Sequence, residues 1–76
     1  MPHVVVKLRP GRTEQQKLRL AEQIVKDVTS TLNRGEDSVS VALEDIQPED
    51  WTEKVYKTDI VPDREVLYKT PGYNPL

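Results

Sequence analysis

The chain has 76 residues, with 11 Lys and Arg against 13 Asp and Glu and a formal net charge of −2. That near balance gives no electrostatic reason to expect nucleic acid or an anionic membrane as a partner. With no cysteine and a single histidine, the composition excludes disulfides and thiolate chemistry and argues against a protein-built zinc site, so no metal is expected.

The length sets one domain, 1–76. A chain of this size buries only about 60% of its extended surface, so without disulfide or metal it calls for oligomerisation. No apolar run is long enough to span a bilayer and no signal-peptide core is visible, which predicts a soluble, cytoplasmic protein with no membrane partner.

Pro2 follows Met1 and opens a strand. Residues 3–8 read HVVVKL, a β-branched run of strand length. Arg9-Pro10-Gly11-Arg12 punctuates it as a turn. Thr13 suits an N-cap, and Gln16 three residues on completes a capping box. The helix then runs to about Leu32, with Leu18, Ala21, Val25, Val28 and Leu32 as an apolar stripe that Leu20 and Ile24 widen. Asn33-Arg34-Gly35 is the stop, with Gly35 expected in the left-handed position.

Val39 to Leu43 alternates, placing Val39, Val41 and Leu43 on one face and Ser40, Ala42 and Glu44 on the other. Strand, helix and strand make a β-α-β unit of class α/β, with two parallel strands and a right-handed crossover. Two strands and one helix do not close a core, so the sheet is expected to be completed by a partner subunit. The core is 2–45, and 46–76 holds short helices and a tail. Pro48 suits the first position of a helix carrying Trp51, Val55 and Tyr56. Pro62 opens a second one with Val66, Leu67 and Tyr68, and Tyr73–Leu76 is expected to be a loose tail.

The chemistry centres on Pro2. Methionine is normally trimmed before a small second residue, which would leave Pro2 as a free secondary amine. Such an amine titrates near ~8 in small peptides, and burial or a nearby cation brings it toward about 7, in reach of general-base work. The other reading of Pro2 is a rigid first residue of an edge strand. Arg12 stands just before a helix N-terminus and is a candidate for a carboxylate, or else an exposed turn arginine. Trp51 either walls an aromatic pocket or packs in a core or interface. Ser40 is a pocket-lining candidate or an ordinary strand residue. His3 points away from Pro2 and reads as structural or interfacial, and Lys7 and Arg9 share its side of the strand.

Taken together, Met1-Pro2 opening a strand, Gly11-Arg12 at the next turn, Glu14 to Lys17 opening the helix and an aromatic at Trp51 resemble the 4-oxalocrotonate tautomerase family. Ile46-Gln47-Pro48-Glu49, Trp51 and Lys69-Thr70-Pro71-Gly72-Tyr73 are most similar to its dimeric bacterial phenylpyruvate-type subgroup. The resemblance implies a cofactor-independent keto–enol tautomerase acting on a small-molecule carboxylate, a 2-oxo or 2-hydroxy-dienoate acid such as phenylpyruvate enol. Pro2 would be the general base, Arg12 the carboxylate ligand and Trp51 a pocket wall, with no cofactor. Well-known members carry a second arginine where this chain has Ser40. A single oxyanion donor is worth roughly 3 kcal/mol, so that exchange favours an aryl monocarboxylate over a dicarboxylate. The resemblance also implies a homodimer, with a hexamer as the runner-up. The alternatives are a hydratase or dehalogenase on an unsaturated acid and, with Met1 retained, a non-catalytic oligomeric binding module.

Overall fold

The computed structural model describes residues 1–76, which divide into two compact units, Met1–Asp45 and Ile46–Leu76. The first unit is β1 (His3–Leu8), α1 (Glu14–Leu32), a 3-10 turn (Glu36–Ser38) and β2 (Ser40–Asp45). The strands pair in parallel, with His3 opposite Ser40, Val4 opposite Val41, and so on to Leu8 opposite Asp45. The expected β-α-β unit is therefore present. The second strand lies one to two residues later than its alternation suggested: Val39 ends the 3-10 turn, and Glu44 and Asp45 extend the ladder.

Alternation sorts the sheet into two faces. Val41 and Asp45 face α1: Val41 shares a groove with Ala21 and Val25, and Asp45 takes the Lys17 ammonium at 2.8 Å. By the register, Val4, Val6 and Leu8 share that face. His3, Val5 and Lys7 with Ser40, Ala42 and Glu44 form the other.

α1 starts where its capping chemistry dictates. The Thr13 hydroxyl accepts from the Gln16 N–H at 3.0 Å, and the Gln16 side chain accepts from the Thr13 N–H at 2.9 Å. Neither proline nor glycine interrupts the next 19 residues. The helix ends at Leu32, as expected, but a different residue takes the left-handed position. Asn33, not Gly35, adopts the left-handed conformation (φ 55°), which its short polar side chain tolerates. Gly35 is extended and opens the 3-10 turn. The half-buried apolar stripe runs through Ala21, Ile24, Val25 and Val28, while Leu18 and Leu32 on its flank are 59% and 55% exposed. No side chain of α1, β1 or β2 is fully buried.

The second unit departs most from expectation. Pro48–Asp50 is a 3-10 turn, and Thr52–Ile60 winds as a π-helix rather than an α-helix. One local competitor of the α-helical ladder is visible: the Thr58 hydroxyl donates to the Lys54 carbonyl. Val55 and Tyr56 are buried at 6% and 4% exposure. After Pro62 only Arg64–Val66 closes a 3-10 turn. Of the expected apolar trio, Leu67 alone is half-buried, and Tyr68 is fully exposed. Tyr73 is not a loose end. Its ring lies 5.8 Å from that of Tyr56 and its hydroxyl accepts from Trp51 Nε1 at 2.9 Å. No helix is long and apolar enough to cross a membrane.

Candidate active site

Pro2 stands one residue before β1, and its carbonyl accepts the Ser40 N–H at 3.1 Å. Two candidate residues thus meet at the end of the sheet where both strands begin. Ser40 has a second partner that the sequence alone did not reveal: its hydroxyl lies 2.6 Å from His3 Nδ1. His3 and Ser40 are opposite each other in the ladder, on the face away from α1. Only the register shows this, since strand alternation says which face a residue takes and not which neighbour it meets.

Arg12 lies at the other end. β1 runs six residues from Pro2 toward it, a rise of about 20 Å at strand geometry. The Lys17–Asp45 pair marks that end, because Lys17 is in the first turns of α1 and Asp45 is the last residue of β2. Gly11 sets the approach to Arg12 with φ 116°, a conformation that L side chains rarely adopt. The Arg12 side chain is exposed and takes part in none of the ion pairs of the chain. It is a guanidinium with its donors open, next to the N-terminus of a 19-residue helix. One copy of the chain therefore brings Pro2 and Ser40 together and holds Arg12 at the opposite end of β1.

Trp51 belongs to the second unit, half-buried and tethered to Tyr73. The tether leaves its indole N–H already used, so what Trp51 can offer a ligand is its ring face.

A concavity of the first unit, about 500 Å³, contains none of these residues. It lies between α1 and Val41 and carries Glu22, Glu36 and Asp37 against Lys26 alone. Three carboxylates to one ammonium make it a poor host for an anion. Elsewhere in the unit, Lys17 is held above the ordinary lysine value of 10.5, first by its hydrogen bond to Asp45 and further by the charges of Asp45 and Glu14. Lys17 is thus a structural cation, fixed in its charged form.

The sequence profile of a family described as "Tautomerase enzyme" matches residues 2–55. The chain belongs to this tautomerase family. It is 40% identical over 76 residues to a "Probable tautomerase" of Xylella fastidiosa, spanning 100% of this chain and 93% of that protein. It is 43% identical over 75 residues to "Tautomerase PptA" of Escherichia coli, with 97% and 99% of the two chains covered. The corresponding protein of Cronobacter sakazakii is 39% identical over 74 residues, covering 96% and 97%. The tautomerase is thus an isomerase with the β-α-β frame of its family, and the matched region starts at Pro2.

Proposed function

We propose that this tautomerase interconverts the enol and keto forms of an aryl 2-oxo acid such as phenylpyruvate, with Pro2 as the general base once Met1 is removed. The observation that carries the reading is the fixed position of Pro2: its carbonyl is held by the Ser40 amide at the start of β1. Removal of Met1 would leave a secondary amine on an anchored strand end rather than on a fraying tail. The neutral amine takes the proton of the enol hydroxyl, the oxygen closes to a carbonyl, and the protonated amine returns the proton to the carbon next to the aryl ring. Atoms balance, and nothing in the step calls for a cofactor.

Arg12 is our assignment for the carboxylate site, and because one chain holds it at the far end of β1 from Pro2, we assign it to another copy. Two β-α-β units joined about a two-fold axis with antiparallel β1 strands bring Arg12 of one copy to the Pro2 end of the other. The same arrangement pairs the free edge of β1 and extends the sheet from two strands to four. We therefore favour a homodimer with two composite sites. Ser40 is the neutral polar group beside Pro2, and with no second cation there a monocarboxylate fits better than a dicarboxylate. The ring of Trp51 offers a wall for the aryl group.

The test is turnover of phenylpyruvate enol by the expressed chain, with its mass measured alongside. The expected result is a chain lacking Met1 that catalyses ketonisation, and a Pro2→Ala variant slower by about 100-fold, the scale of general-base catalysis. Full activity in a folded, processed Pro2→Ala variant would remove Pro2 from the mechanism.

A further inference from the structure

We infer that His3 is a positioning residue for the reacting amine, acting through Ser40. This rests on the reading of Pro2 as the base. Ser40 binds the start of β1 twice. Its N–H donates to the Pro2 carbonyl at 3.1 Å, and its hydroxyl lies 2.6 Å from His3 Nδ1. The two bonds bracket the Pro2–His3 peptide unit. The pyrrolidine ring already fixes φ of Pro2. The rotations left free are ψ of Pro2 and the torsions of His3, and these are what the two bonds restrain. With both in place, the nitrogen of Pro2 has one direction relative to the sheet.

The His3–Ser40 bond is made between exposed side chains, so it competes with water and adds little to global stability. Its effect is geometric. Terminal residues fray unless tied down, and a misplacement of the reacting group by about 1 Å can cost as much as 100-fold in rate. A hydroxyl both donates and accepts, so the bond forms with either imidazole tautomer: Ser40 donates to a bare Nδ1 and accepts from an Nδ1–H.

His3→Ala, His3→Asn, Ser40→Ala, Ser40→Thr and the His3→Ala/Ser40→Ala double variant test this. Asn keeps a polar atom near the position of Nδ1, and Thr keeps the hydroxyl. The readouts are kcat and KM on phenylpyruvate enol, and amide hydrogen exchange at Ser40, which reports the bond to Pro2 whether or not Pro2 is the base. His3→Ala is expected to lower kcat about tenfold with KM held within about twofold, the pattern of lost alignment rather than lost binding. Exchange at Ser40 should quicken, and His3→Asn and Ser40→Thr should restore both readouts. The double variant should be no slower than Ser40→Ala, because both substitutions cut one bond. An unchanged kcat or unchanged exchange in His3→Ala would overturn the proposal. So would losses that simply multiply in the double variant. A fully active Pro2→Ala variant would instead overturn the base reading, and it is measured alongside so that the two failures are told apart.

Discussion

Met1–Asp45 is built from two strands and a helix of ordinary geometry, yet none of its side chains in those elements is fully buried. Ile46–Leu76 is wound from 3-10 and π turns, yet it holds Val55 and Tyr56, the two buried apolar side chains of the chain. Regular backbone and a closed core are separate properties. The first follows from local chemistry: β-branched residues in β1, and a capping box with no helix breaker in α1. The second depends on how many layers cover a surface, and one helix on two strands covers only one side of the sheet.

Two valines put numbers on that contrast. Val55→Ala in the second unit should cost about 2 kcal/mol, because a buried side chain leaves a cavity behind. Val25→Ala on the half-buried face of α1 should cost about half as much. Urea denaturation at one fixed protein concentration compares them, since a subunit partner would add a concentration term. Equal losses would mean that Val25 is as buried in the working assembly as Val55.

A smaller effect sharpens the account of the turns in the first unit. Gly11→Ala should destabilise by about 1 kcal/mol, because φ 116° suits glycine and no neighbouring atom is within 4 Å to be blamed for a clash. Gly35→Ala, extended and equally uncrowded, should be neutral or raise stability by about 0.5 kcal/mol through the unfolded chain. The thermal unfolding midpoint should fall for Gly11→Ala and hold or rise for Gly35→Ala, and a comparable fall in both would refute the backbone explanation.

The smallest effect concerns Lys17, which ties α1 to β2. The folded state raises its pKa above 10.5, chiefly through the bond to Asp45. Its contribution is therefore complete below 10.5 and fades as pH climbs through the higher folded value. Stability should fall in that alkaline window, and Lys17→Met should flatten the slope there. An unchanged slope in the variant would assign the alkaline loss to other groups.

Much of the first unit was legible in the sequence because its signals are local. Thr13 and Gln16 make the capping box that their spacing predicts, and β1 holds its predicted bounds. The end of α1 at Leu32 was legible too, but the left-handed position was not, because Asn33 competed with Gly35 for it and came first along the chain. The π winding of Thr52–Ile60 escaped because the apolar spacings there, four and five from Trp51 to Val55 and Tyr56, do not separate α from π over so few turns. The tie from Tyr73 to Trp51 spans 22 residues and has no local signature. The candidate site divides the same way. Residue chemistry nominates Pro2, Arg12, Ser40 and Trp51, and the strand read at 3–8 already puts Pro2 and Arg12 at opposite ends of β1, but only the register pairs His3 with Ser40.

That separation leads to the most direct measurement. If each site combines Pro2 of one copy with Arg12 of its partner, Pro2→Ala and Arg12→Ala homodimers are both impaired. When the two are unfolded together and refolded as a mixture, half of the dimers carry one intact site of two. Phenylpyruvate enol turnover should then recover to about a quarter of the unmutated rate. A mixture no more active than its two parents would contradict the composite site and, with it, the pairing of Pro2 and Arg12 across the interface.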